Sequence, residues 1–235
     1  MLDFGRFEAL SFDCYGTLID WESGILSAVR PVLAAHGKDL DDAGILRLYA
    51  ELESRIESRG YEPYRTVLCR VMEGLGERLG FVPDEAQRSS VADSLGTWPP
   101  FPDTVRALRF LKSRFRVGIL SNVDDDLFAA TANQLEVDFD WVVTAEQVGD
   151  YKPSMRAFEA VLERIPLPKG SILHVAQSLY HDIGPAREIG LATVWIDRRR
   201  GEPGFGATPE SRAEADLTLP DLRSLVAAID PSATV

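Results

Sequence analysis

Ala9-Leu10-Ser11-Phe12-Asp13-Cys14-Tyr15-Gly16-Thr17-Leu18 is the stretch around which the chain is organised. An apolar run rich in strand formers stops on a carboxylate and gives way to a turn that contains glycine. A buried parallel strand delivers a side chain in this way to the rim of a sheet, where open α/β folds bind ligands. Read alone, Asp13 is equally a turn or helix-cap residue, because a short carboxylate readily accepts backbone N–H bonds. Cys14 reads as a small buried hydrophobe. Strand alternation turns it away from Asp13, and no histidine lies nearby in sequence to act as its base.

Downstream, the residues from about Trp21 to Gly96 read as helical. Ile25, Val29, Val32 and Leu33 recur at helical spacing, as do Leu46, Tyr49, Leu52 and Ile56, and then Val67, Leu68, Val71, Leu75 and Leu79. Gly37, Gly60-Tyr61-Glu62-Pro63 and Gly80-Phe81-Val82-Pro83 divide this block into separate helices. With no strand between Leu18 and Trp98, it reads as a cap inserted after the first strand.

Trp98-Pro99-Pro100-Phe101-Pro102 is a rigid extended break, after which strands and helices alternate. Asp103 is positioned to cap a helix running to about Arg114. Strands are expected at Val117–Leu120, Trp141–Thr144, Ile172–Ala176, Ala192–Ile196 and Leu217–Leu219. Asp124-Asp125-Asp126 suits the positive end of a helix better than a cation site. Pro153 and Pro185 are expected in first helical turns, and Leu222, Leu225, Val226 and Ile229 mark a closing helix. His174 and His181 lack metal-ligand spacing and read as packing or hydrogen-bonding residues. Arg198-Arg199-Arg200, followed by Gly201, Pro203, Gly204 and Gly206, reads as a solvated loop. The alternation predicts an α/β fold, a mostly parallel sheet with helices on both faces.

The 235 residues are 45% hydrophobic and 26% charged, which provides for a sizeable core. A net charge of −12 argues against nucleic acid or an anionic membrane as partner, although a small anionic substrate stays compatible if its pocket supplies positive charge. Neither a cleavable leader nor a bilayer-length apolar run is evident, so a cytoplasmic location is expected. Cys14 and Cys69 form neither a disulfide framework nor a metal-ligand spacing. A homodimer is an allowed assembly. Nucleotide-binding glycine loops are absent.

Asp13, Ser121 with Asn122, Lys152 and Asp182 all fall at the C-terminal ends of strands or in the loops beyond. In a parallel sheet those ends share one edge, so a carboxylate, a hydroxyl and amide pair, a lysine and a second carboxylate would converge.

In this order the segments resemble the haloacid dehalogenase superfamily over nearly the whole chain. Phe12–Leu18 is similar to its first motif, Leu120-Ser121-Asn122 to its second, Tyr151-Lys152-Pro153 to its third, and the segment through Asp182 to its fourth. The resemblance implies a Rossmann-like catalytic core at 1–18 and 98–235, a helical cap at 19–97, and Asp13 as nucleophile. Phosphatases of the superfamily carry an aspartate two residues on, which protonates the leaving oxygen. Here Tyr15 stands there, and a halide needs no proton to leave.

Asp-x-Tyr-Gly-Thr-Leu and the Pro-Phe-Pro-Asp of Pro100 to Asp103 are similar to the L-2-haloacid dehalogenases. Where phosphatases place a magnesium-binding Gly-Asp in the fourth motif, this chain has Ala176-Gln177. It also departs from those dehalogenases, with Gln177 and Leu179 in place of a serine and an asparagine, Phe158 in place of a tyrosine, and Leu48 in register with the cap arginine. The resemblance implies a hydrolase acting on carbon–halide bonds that turns a short 2-haloacid into a 2-hydroxy acid through an aspartyl ester. Lys152 would keep Asp13 ionised, Thr17, Ser121 and Asn122 would bind carboxylate oxygens, and Asp182 would orient Lys152. Tyr15, Gln177, Ser178 and the cap residues Arg47 and Arg55 would contact substrate. No cofactor is implied. Two alternatives stay open: a phosphatase acting on a small phosphate ester, which alone would need Mg2+, and a weakly active relative that binds a ligand through its cap.

Overall fold

The structure, a computed structural model, describes residues 2–202 and 204–233. Met1, Thr234 and Val235 of the expected core, and Pro203 of the expected loop, lie outside the described residues. Six strands form one sheet: β1 (Ala9–Phe12), β2 (Arg116–Ser121), β3 (Trp141–Thr144), β4 (Ile172–Ala176), β5 (Ala192–Ile196) and β6 (Leu217–Leu219). They are all parallel, in the order β3-β2-β1-β4-β5-β6. β1 lies between β2 and β4, and all four of its residues are buried. Burial on both faces is why it reads as an unbroken apolar run and not as an alternating one.

Between β1 and β2 the chain forms four helices, α1 (Trp21–Ala35), α2 (Asp42–Glu57), α3 (Tyr64–Leu79) and α4 (Glu85–Ser94), which make up the cap. Asp20, Asp41 and Asp84 cap α1, α2 and α4 through their own side chains. The rest of the core contributes α5 (Thr104–Lys112), α6 (Asp125–Leu135), α7 (Ala145–Val148), α8 (Met155–Arg164), α9 (Gly184–Glu188) and α10 (Leu222–Ile229). Among the described residues no helix is long and apolar enough to cross a membrane.

Two local expectations, those for Asp103 and Arg198, give way to tertiary contacts, while Asp124-Asp125-Asp126 opens α6 as expected. Asp103 precedes α5 without a side-chain bond to it; its carboxylate instead takes the Leu222 N–H at the start of α10 (2.7 Å) and the Arg198 guanidinium (2.8 Å). Asp124 precedes α6 in the same way, yet its two oxygens accept the N–H groups of Tyr64 (2.7 Å) and Arg65 (2.9 Å). These are the orphan donors that open α3, whose N-cap position is held by Pro63 with no side-chain bond. Arg198 is not a solvated loop residue. Its side chain is 9% exposed, stacks over Phe101 and donates twice to the Thr17 carbonyl, tying the loop after β5 to the loop after β1. Pro153 lies before α8, where Ser154 is the N-cap.

Candidate active site

The sheet order reverses around β1, and the crevice beyond the C-terminal ends of β1 and its neighbours is where such sheets bind ligands. Asp13 leaves β1 there. Ser121 ends β2, Lys152 comes from the loop before α8, and Gln177 and Ser178 follow β4. Asp182 sits in a π-helical turn, Leu179–Ile183. The turn after Asp13 is tight: Gly16 has φ +91°, and a Cβ built on it would lie 2.9 Å from Trp21 Nε1 and 3.1 Å from Gln177 Oε1. Only glycine satisfies both the backbone angle and that approach.

Lys152 Nζ donates to Asp13 Oδ1 (2.8 Å), to Asp182 Oδ1 (2.7 Å) and to the Leu120 carbonyl (3.0 Å). The other Asp13 oxygen accepts the Thr17 hydroxyl at 2.6 Å, and Thr17 in turn accepts the Gln177 N–H at 2.8 Å. Both Asp13 carboxylate oxygens are thereby held by a donor. His174 Nε2 lies 3.1 Å from Asp182 Oδ1. Burial pushes the Asp13 carboxyl up, and Lys152 and Thr17 work against that rise. Burial opposes the charge on Lys152 as well, but the two carboxylates hold its ammonium above the ordinary lysine value. Asp182 is likewise opposed by burial, yet Lys152 and His174 bring it below the usual carboxylate value. Burial lowers His181 to about 4, so its imidazole is neutral at physiological pH.

The cap closes over these groups and leaves a cavity of about 40 Å³, room for only a few water molecules. Asp13, Ser121, Asn122, Lys152 and Asp182, the residues at the strand ends, all line it, together with Tyr15, Gln177 and Ser178. Asn122 does so with its amide already committed: Oδ1 accepts the Lys152 N–H (2.7 Å) and Nδ2 donates to the Lys152 carbonyl (3.0 Å). It fixes the lysine backbone instead of binding a carboxylate. Tyr15 turns its hydroxyl to Thr131 Oγ1, 2.9 Å away. Ser121 Oγ and Asp182 Oδ2 are buried without a hydrogen-bond partner among the described residues.

Arg47 and Arg55 are not in this cavity. They line a separate cleft between α2 and the 199–210 loop, beside Phe205. The face of α2 that looks at Asp13 carries Glu53 and Glu57 instead, joined by Tyr64 of α3 and Trp21 of α1. Glu53 is 4% exposed and accepts the hydroxyls of Tyr64 (2.7 Å) and Tyr49 (3.0 Å). One signal for it exists in the sequence, since Glu53 falls within the apolar stripe of Tyr49, Leu52 and Ile56. Nothing comparable marks His181.

The family model of haloacid dehalogenase-like hydrolases matches residues 7–190. The chain belongs to that family. Haloacetate dehalogenase H-2 of Moraxella sp. (strain B) is 26% identical to it over 227 residues, 94% of this chain and 97% of that protein. (S)-2-haloacid dehalogenase H-109 of Pseudomonas putida is 28% identical over 219 residues, covering 89% and 94%. The crystal structure of L-2-haloacid dehalogenase from Xanthobacter autotrophicus superimposes with a TM-score of 0.78 at 22% identity, over 97% of this chain and 100% of that one, which shows a shared fold. The magnesium site used by phosphatases of the superfamily lacks its fourth-motif carboxylate here. Both Asp13 oxygens are engaged by Lys152 and Thr17, and Gln177 stands at the fourth-motif position. Among the described residues no three His, Cys, Asp or Glu side chains are placed to hold a metal ion.

Proposed function

We propose that this member of the haloacid dehalogenase-like hydrolase family is a cytoplasmic enzyme that hydrolyses a short, anionic 2-haloacid to a 2-hydroxy acid. Asp13 attacks the carbon that bears the halogen; the C–O bond forms as the carbon–halogen bond breaks, and the halide leaves with the electron pair. Water then attacks the carbonyl carbon of the resulting Asp13 ester. The acyl–oxygen bond breaks, releasing the 2-hydroxy acid and one proton and leaving one water oxygen in the Asp13 carboxylate. Lys152 offsets charge at the ester oxygens, and the open Asp182 Oδ2 can accept a hydrogen bond from the water.

The observation that carries this reading is the position of Tyr15. The residue two beyond the nucleophile offers no acid to a leaving oxygen: its hydroxyl is engaged with Thr131, and burial raises it well above the ordinary tyrosine value. A halide leaves without a proton, and a phosphate ester's alkoxide does not. The relatives named as haloacetate and (S)-2-haloacid dehalogenases support the same chemistry. A single turnover in heavy-oxygen water tests it: label is expected in the Asp13 carboxylate, with halide released. Label in the product and none in Asp13 would overturn the covalent route.

A further inference from the structure

The cavity presents a charge problem to an anion. On the core side Lys152 is the cation, and it already lies between two carboxylates at 2.8 and 2.7 Å. Among the described residues no arginine lines the cavity. Across from it, the cap contributes Glu53 and Glu57, one helical turn apart on the same face of α2. A haloacid carboxylate placed beside two ionised glutamates in a small, water-poor space would be repelled. The same carboxylate beside a protonated glutamate gains a short, charge-assisted hydrogen bond.

Resting on the dehalogenase reading above, we propose that Glu53 and Glu57 are the cap's substrate-binding groups, and that they take up one proton together with the haloacid and donate it in a hydrogen bond to its carboxylate. They thereby occupy the role that a cap arginine would otherwise fill. The geometry leaves the donor position open. Tyr49 and Tyr64 both donate to Glu53 Oε1, so the remaining oxygen is the one to carry a proton. Ser121 Oγ, 1% exposed and without a partner among the described residues, lines the same cavity from the core side as a second donor for the ligand.

Burial favours the protonated form of the pair, while the hydrogen bonds to Glu53 and the charge of Lys152 near Glu57 work against it. Tyr49 of the same helix and Tyr64 of α3 are neutral hydroxyls, and Tyr61 and Tyr151 stand nearby as further neutral phenols. Asp124, from the loop after β2, and Asp13 and Asp182 bring negative charge. Lys152 is the positive group, and His181 is neutral. Burial raises Glu53 to about 7 against the Tyr64 and Tyr49 hydrogen bonds, which favour its ionised form; burial also raises Glu57 well above the ordinary value, the neighbouring Glu53 charge adding to the rise and Lys152 opposing it.

Calorimetric titration of the enzyme with propanoate, an unreactive carboxylate, tests this in two buffers of different ionisation enthalpy. At pH 8, close to one proton is expected to be taken up per propanoate bound. Affinity should fall about tenfold for each pH unit above 7, whereas propanamide should bind without uptake and without that slope. Glu53→Gln combined with Glu57→Gln supplies N–H donors at every pH, so uptake and slope should both vanish while propanoate still binds at pH 8. A merely structural role would leave the uptake in place. The proposal is overturned if propanoate fails to bind at any pH, binds with no proton uptake, or keeps its uptake in the double variant, since the proton would then sit on another group such as His181. Halide release from 2-chloropropanoate, measured in parallel, decides the dehalogenase reading separately. Uptake without halide release would sink that reading alone, and halide release without uptake would sink this one alone.

Discussion

The Lys152 ammonium lies 2.8 Å from the Asp13 carboxylate, although 139 positions separate the two in sequence. It also bridges to Asp182, so one buried cation serves two buried anions. Removing it leaves both carboxylates uncompensated, and loss of one partner from a buried pair costs about 3–5 kcal/mol. Lys152→Met should therefore lower stability by about that amount and cut halide release by at least about a thousandfold. Urea unfolding and a halide assay measure the two effects. Near-normal turnover in a folded Lys152→Met protein would remove the lysine from the mechanism.

Asp124 joins the core to the cap. Its carboxylate replaces the N-cap that Pro63 cannot supply to α3. Asp124→Ala should cost about 0.5–2 kcal/mol and loosen the cap at that end. Amide hydrogen exchange at Tyr64 and Arg65 should quicken selectively, with KM rising more than kcat falls. Unchanged protection of those two amides would show that the cap is held elsewhere.

Glu53 gives the fold a pH dependence whose sign follows from its raised value. With an ordinary value of 4.5 in the unfolded chain and about 7 in the fold, the folded state holds the proton more tightly. The stability this group contributes is whole below about pH 4.5 and is lost as pH rises through 7, a change on the order of 3 kcal/mol. Glu53→Gln removes the titration. Its melting temperature relative to the unaltered protein should climb from pH 5 to about pH 7 and level off above that, and a constant offset from pH 5 to 7 would contradict the buried, raised carboxyl.

Metal dependence separates the two enzyme classes that the motifs leave open. A phosphatase of the superfamily uses magnesium to bring a charged phosphate against an ionised aspartate. Here Lys152 and Thr17 hold Asp13, and Gln177 replaces the fourth-motif carboxylate. EDTA should leave halide release unchanged, and added magnesium should not raise it. Activity lost in EDTA and restored by magnesium would favour the phosphate-ester reading.

Much of the site was legible because a parallel sheet gathers its C-terminal strand ends along one edge. The residue types at those ends, Asp13, Ser121, Lys152 and Asp182, could be placed together from strand order alone. What each side chain does was less legible. Asn122 spends its amide on the Lys152 backbone, and Arg198, within an Arg-Arg-Arg run that looks solvated, clamps the Thr17 carbonyl and Asp103. Polar partners are chosen in three dimensions, and a local motif does not reveal that a distant donor binds better than the adjacent one.

The sequence by itself determined the alternation of strands and helices, the helical insertion after the first strand and the place of Asp13 at that strand's end, since all three follow from hydrophobic periodicity and from glycine and proline breaks. Only the tertiary structure decided which face of α2 looks at Asp13. The helix carries Arg47 and Arg55 on one side and Glu53 and Glu57 on another, and its amphipathic pattern alone does not say which of these charges is turned into the closed cavity. That choice is made by how the cap packs. Asp124 receives the start of α3, and the Tyr49 and Tyr64 hydroxyls find Glu53, so the chemistry of the cavity is set by contacts between segments far apart in the chain.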